Sequence, residues 1–185
     1  MRVDLEAELF SAAGRVRQPH LDRLRALGVS SSTIARLGAC HPPFGVVEAE
    51  AMSNGTYLPG EGEPHIVQPV FQDGDLIDLV AWRSADPSRW WSRTGLGWII
   101  GHDGPLTGGW VDDDGLTMHS TPLDWLRSGA AGVCVVDWDA EEVEWLRCFS
   151  TIRCDSQSLA AVLRRRLSRP RPLPRIATME VRHAA

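Results

Sequence analysis

The sequence predicts an α+β protein, with an N-terminal helix pair and an antiparallel β unit followed by an α/β parallel sheet. Three observations carry this. Two short apolar-faced stretches, each closed by glycine, lie in HLDRLRALGVSSSTIARLG. Asp73-Gly74 joins HIVQPVF to LIDLVAW, and an Asp-Gly turn between arms rich in β-branched residues signals a hairpin. From residue 115 onward, strand-like and helix-like stretches alternate, the pattern of parallel strands covered by helices.

Each element has a local reason. Val3, Leu5, Leu9 and Phe10 have helical spacing over residues 3–13. Leu21, Leu24 and Leu27 share a face that ends at Gly28. A second helix starts at the capping serines 30–32 and stops at Gly38. The pair resembles a helix-turn-helix, although packing units of this size are commoner than DNA readers. FGVVEAEAM, TYLP and GLGWIIG add short strands around the hairpin. Then LTMHS, GVCVVD and STIRC read as strands, and TPLDWLRSG, DAEEVEWLRC and DSQSLAAVLRRRL as helices. Three segments follow: 1–114, a helix pair plus β subdomain; 115–167, an α/β subdomain; and 168–185, an extended basic tail of prolines and arginines.

Composition narrows the function classes. Apolar residues make up 43% of the 185, enough for a packed core. No apolar run reaches membrane-spanning length and MRVDLEAELF lacks a signal-peptide core, so a cytoplasmic protein without membrane partners is expected. Cys40, Cys134, Cys148 and Cys154 form no C-x-x-C pair, which argues against structural zinc and for buried free thiols. All 19 basic residues are arginine. Residues 41–160 carry 6 arginines against 19 acids, whereas residues 161–185 carry 7 against 1. An acidic body with basic ends offers phosphate-attracting surface only at those ends.

Asp137-Trp138-Asp139 closes the apolar run VCVV, and paired acids at a strand mouth are a Mg²⁺-binding arrangement. The competing reading is grammatical. Asp139 with Glu142 fits an N-cap and capping box, with Trp138 and Val143 as the hydrophobic staple. Thr121, Pro122 and Asp124 fit cap, first-turn proline and N3 acid, and Asp155 fits the cap of the last helix. Asp112-Asp113-Asp114-Gly115 reads as a solvated turn, and His119 beside Ser120 has no triad spacing. Most of the eight tryptophans read as core. In Arg89-Trp90-Trp91-Ser92-Arg93, however, aromatics between arginines suit a single nucleic-acid strand, with an ordinary strand edge packed by tryptophan as the alternative.

In order, LDRLRALGVSSSTIARLGACHPP, HIVQPVFQDGDLIDLVAWRSADPSRWW, STPLDWLRSGAAG and TIRCDSQSLAAVLRRRL resemble the catalytic core of DnaG-type bacterial primases. The likeness runs from about His20 to Leu167 and includes Pro69, Asp73-Gly74, Arg83, Pro87 and Arg89-Trp90. It implies a Toprim-like fold for residues 115–167. It also sets the family's acid pair at Asp155-Ser156-Gln157, not at Asp137 and Asp139. The expected Glu-Gly of the first Toprim motif is Ser120-Thr121 here, and the second acid is Gln157. Asp155 keeps its match, and Asp124 matches an acid inside the first helix. Losing two of three carboxylates removes the hard anionic oxygens that Mg²⁺ requires.

The resemblance therefore implies a catalytically inactive, primase-core-like protein of DNA replication or of a phage or mobile element. It would bind single-stranded nucleic acid or a replication protein. The contact residues are Arg83, Arg89, Trp90, Trp91 and Arg93, with Arg164, Arg165, Arg166, Arg169 and Arg171 as a basic arm. No cofactor or metal is expected. One alternative is an active Mg²⁺-dependent nucleotidyl transferase or nuclease using Asp124, Asp137, Asp139 or Asp155. The other is an acidic module that binds a basic protein.

Overall fold

The computed structural model describes residues 3–101, 111–112 and 115–169. Trp110, Asp113, Asp114, Arg171 and the remaining Pro/Arg tail lie outside the described residues. The chain is a mixed α+β protein in which a five-stranded antiparallel sheet is joined to a smaller unit containing parallel strands.

Helix α1 (Leu5–Gly14) is capped by Asp4, whose side chain accepts from the Ala7 N–H. Helices α2 (Gln18–Ala26) and α3 (Ser31–Ala35) follow, with Gly28 at φ +88° between them and Ser30 capping the second. Strands β1 (Gly45–Ala51), β2 (Tyr57–Pro59), β3 (Glu63–Gln72), β4 (Asp75–Arg83) and β5 (Asp86–Ser92) form the large sheet in the order β2-β1-β3-β4-β5. Asp73 and Gly74, at φ +52° and +85°, make the two-residue turn that the right-handed twist of a hairpin favours. Pro69 lies past Val67, the last β3 residue paired with β1, so its missing N–H breaks no bond on that side.

Both faces of the large sheet are covered, so β3 and β4 are almost continuously buried. One face carries Val67, Leu79, Ala81 and Trp91 against Leu9 and Ala12 of α1. Ala12 can sit this close because Gly45 faces it; a Cβ on Gly45 would lie 2.6 Å from the Ala12 Cβ. The other face packs Ile66, Val80 and Trp82 against Leu24 and Ile34 of the helix pair and against the second unit.

In the second unit, β6 (Ile99–Ile100) and β7 (Val111–Asp112) precede β8 (Gly115–Met118), α4 (Pro122–Arg127), β9 (Cys134–Val135), β10 (Ile152–Cys154) and α5 (Gln157–Leu167). Strand β8 pairs in parallel with β10, and Met118 bridges in parallel to Val133 just before β9. Strand β6, which follows directly from the end of β5, pairs antiparallel with β9 and so joins the second unit to the large sheet. Gln68 adds a polar link: fully buried, it accepts from the Trp82 indole N–H at 2.5 Å and donates to the Pro122 carbonyl at 3.1 Å. Helices α2 and α3 dock on α4 through Thr33 Oγ1 to the Leu126 carbonyl and Arg127 Nε to the Leu27 carbonyl. One face of the pair is thus packed against the second unit.

Four sequence expectations need correction. Residues Glu141–Cys148 form a 3-10 helix rather than an α-helix. The buried Val143 and Leu146, with Phe149 just past the helix end, recur every three residues, which matches three residues per turn. Asp139 is not the cap; Ala140 holds that position without a side-chain bond. Asp155 does not cap α5 either. Ser156 does, accepting from the Leu159 N–H. Of the four free thiols only Cys134 is buried, with Cys40 and Cys148 exposed.

Asp78 holds the connection between the two units. Its Oδ1 accepts from the backbone N–H of Leu79, Arg93 and Thr94, and its Oδ2 from those of Leu96 and Gly97, all at 2.8–3.1 Å. Asp78→Ala leaves these five donors without their acceptor, those of Leu79 and Gly97 in buried positions, and is expected to cost more than about 3 kcal/mol. Asp78→Asn, which keeps one oxygen, should cost less. Urea denaturation measures both, and a loss under about 1 kcal/mol for the alanine variant would refute the role.

Candidate nucleic-acid interface

The tryptophans and arginines of β5 divide by strand alternation. Trp90 and Trp91 point to opposite faces of the sheet. Trp90 packs toward the second unit and donates its indole N–H to the Val136 carbonyl at 2.9 Å. Trp91 is 8% exposed and joins the α1-side core. Neither indole is free as an open stacking platform. Arg93 is also drawn into the fold: its Nε and one terminal nitrogen form a fork on the Glu8 carboxylate at 2.9 and 3.0 Å. That ion pair raises the Arg93 pKa and ties α1 to the end of β5.

Arg83 and Arg89 remain at the surface, one on each side of a bend. Their guanidinium carbons lie 5.9 and 5.5 Å from the Trp91 ring centroid, within cation–π range. The buried indole thus orients two cations beside a cleft of about 390 Å³ bounded by the ends of β1 and β3. Glu63 lies across this cleft and accepts from Arg83 at 2.6 Å. The bond to Arg83 holds the Glu63 carboxyl below its usual range. Arg89 is exposed and its guanidinium has no carboxylate partner among the described residues.

His65 forms the cleft's inner wall. It is 2% exposed and meets Trp91 edge-on at 5.7 Å. Its Nδ1 lies 2.7 Å from the Glu63 carbonyl, a geometry in which Nδ1–H donates and Nε2 is left as an acceptor. That Nε2 is enclosed without a partner among the described residues, and so is the Arg83 Nε. Buried polar atoms without partners are uncommon and mark places where a group is missing.

A second basic group lies at the end of α5. Arg165, Arg166 and Arg169 line a cleft of about 160 Å³ with Trp138 and Asp139. Arg164, one position earlier, is exposed and lies outside this lining. Arg147 donates to the Arg169 carbonyl at 3.0 Å and fixes the backbone there.

The acids at the strand ends do not converge. Asp124 accepts from Thr121 Oγ1 at 2.6 Å and pairs with Arg127 at 2.8 Å, so it serves the start of α4. Asp137 is exposed and its Oδ1 accepts from the Asp139 N–H, forming a local turn. Asp155 is held by the segment after β8: its Oδ2 accepts from the Ser120 N–H at 2.8 Å and its Oδ1 from the Ser120 hydroxyl at 2.5 Å. Ser156 Oγ lies 2.9 Å from the same hydroxyl. Among the described residues no three His, Cys, Asp or Glu side chains gather as a metal site. A serine hydroxyl, an amide and one carboxylate already accepting through both oxygens do not suit Mg²⁺, which favours anionic oxygen ligands.

His119 does not complete a triad. Its Nε2 lies 3.0 Å from the Ala131 carbonyl and its Nδ1 faces Asp155 at 3.7 Å, while Ser120 bonds Asp155 directly.

Compared with known proteins, the chain matches no family model, no curated protein and no solved structure. Among the described residues no helix is long and apolar enough to cross a membrane. Sequence reasoning missed His65, Glu63 and Trp138 as cleft residues. For His65 a signal existed: it shares a strand face with Val67, so a lone imidazole enters an apolar layer.

Burial lowers the His65 pKa, partly opposed by its bond to the Glu63 carbonyl. The unfolded chain therefore takes up a proton that the folded chain refuses. The His65 contribution is complete above about pH 6.5, the ordinary imidazole value, and is lost as pH falls below it. His65→Gln should flatten the decline in urea midpoint between about pH 6.5 and 5. An unchanged decline would show that other groups set the acid limb.

Proposed function

We propose that this protein holds single-stranded nucleic acid on a primase-core-like scaffold without polymerising it. The observation that carries the reading is the Arg83–Trp91–Arg89 arrangement beside a cleft with unpartnered polar atoms. Two guanidinium groups anchored on one indole present fixed forks, and planar forks suit phosphate oxygens. The exposed face of Arg89 can also stack on a base, which suits a strand read without sequence preference. Arg83 contributes once a phosphate displaces Glu63, an exposed carboxylate that occupies the same donor.

The parallel pairing of β8 with β10 and the intervening helix support a Toprim-like reading of the second unit. Asp155, the acid retained from that pattern, is engaged by Ser120, and Gln157 is the exposed first residue of α5. These features favour binding over Mg²⁺-dependent catalysis. A role in DNA replication, or on a phage or mobile element, follows from the primase-like order of segments.

Anisotropy of a fluorescent single-stranded oligonucleotide tests this at low salt. Binding should be equal in Mg²⁺ and in EDTA. The log–log salt slope should fall by about 0.7 for each of Arg83→Ala and Arg89→Ala, the value for one single-strand phosphate contact. Each substitution should weaken affinity about 3- to 10-fold. Absence of binding at low salt would overturn the proposal and favour a protein partner for the acidic body.

A further inference from the structure

Among the described residues, enclosed side-chain polar atoms without a hydrogen-bond partner include His65 Nε2 and Arg83 Nε at the β5 cleft. Arg166 Nε is another, and it belongs to the separate cleft at the end of α5. There Arg165, Arg166 and Arg169 line about 160 Å³ of space together with Trp138. Among the described residues no carboxylate pairs with any of them; Arg166 has only a long 3.5 Å bond to the Ala140 carbonyl. Asp139 lines the cleft but forms no ion pair there.

Helix polarity explains part of this. Cations in a last turn offset the partial negative charge of the carbonyl end. That effect acts at the exposed turn and does not need three cations in one recess. Like charges so placed repel, and an enclosed donor without an acceptor costs free energy. Both costs vanish if an anion occupies the recess. The wall also suits this: an indole side and an arginine fork accept a compact anion with several oxygens. The Arg147 bond to the Arg169 carbonyl fixes one side of the opening before any ligand arrives.

The geometry points to a second ligand site here, a phosphate-binding recess formed by Arg165, Arg166 and Arg169 against Trp138. Its ligand is a phosphate or diphosphate group, supplied either by a strand already held at the β5 cleft or by a free nucleotide. The site stands independently of the strand-binding reading, because its arginines and its cavity are distinct from those around Trp91.

Inorganic pyrophosphate is the probe, titrated calorimetrically into the full chain at low salt. Saturable binding is expected in the wild type. The double variant Arg165→Ala/Arg169→Ala, at two exposed positions, should weaken it at least about tenfold. Arg15→Ala/Arg25→Ala, at two exposed positions outside both clefts, should leave it unchanged, and Arg165→Lys should retain part of it because charge remains while the fork is lost. Thermal unfolding checks that all variants fold. No saturable heat up to about 5 mM pyrophosphate, weaker than any useful phosphate site, would overturn the proposal. So would equal losses in the two double variants, the signature of diffuse charge. The source is read from a second titration. If Arg165→Ala/Arg169→Ala also weakens oligonucleotide binding and pyrophosphate competes with the strand, the phosphate comes from the strand. If the strand binds that variant as before, the recess serves a free nucleotide. Loss of oligonucleotide binding alone, with pyrophosphate binding intact, would remove the strand reading and leave this site standing.

Discussion

Asp78 has no solvent contact, and five backbone N–H groups surround its two oxygens. A buried carboxylate is tolerated only with this degree of satisfaction. The bonds fix the path from the end of β5 through Thr94 and Gly97, which delivers β6 to its pairing with β9. Gly97 can pass because it has no side chain; a Cβ there would sit 2.8 Å from the Asp78 Cβ. The same carboxylate bonds the Arg93 N–H, and the Arg93 side chain holds α1 through Glu8. One acid thus sets the end of β5, the approach of α1 and the joint between the two units.

Both basic clefts depend on that joint. Trp90 bonds the Val136 carbonyl, which places β5 beside the segment that continues into Asp137, Trp138 and Asp139. Because Trp90 and Trp91 alternate, fixing one indole against the second unit turns the other toward His65, Arg83 and Arg89. The arginine pair owes its orientation to core packing rather than to loop conformation. This favours preorganised contact with a ligand, since less ordering is left for the moment of binding.

At the mouths of the parallel strands the chain spends its polar groups on itself. Ser120, Asp155 and Ser156 bond one another, Asp124 secures α4, and Asp137 shapes a turn. Each acid has a local structural duty. A catalytic metal site would need several of them released and turned toward one point. Among the described residues, the two clefts hold cations with no carboxylate partner: Arg89 beside β5, and Arg165, Arg166 and Arg169 at the end of α5.

The sequence alone determined the hairpin at Asp73-Gly74, the glycine stop after α2, the Thr121 cap of α4 and the strand-helix alternation after residue 115. These follow from backbone preferences that act within a few residues. Which acid caps which helix was less legible, because Asp155 and Ser156 both fit a cap and only the position of Ser120, thirty-five residues earlier, draws Asp155 away. The 3-10 helix at Glu141–Cys148 was decided by the core that Val143 and Leu146 fill. The tertiary structure alone decided which cations remained available: Arg93 met Glu8, eighty-five residues away, while Arg89 met no acid among the described residues. Local grammar sets the elements. Side-chain partners at long range are set by packing, and packing cannot be read from spacing along the chain.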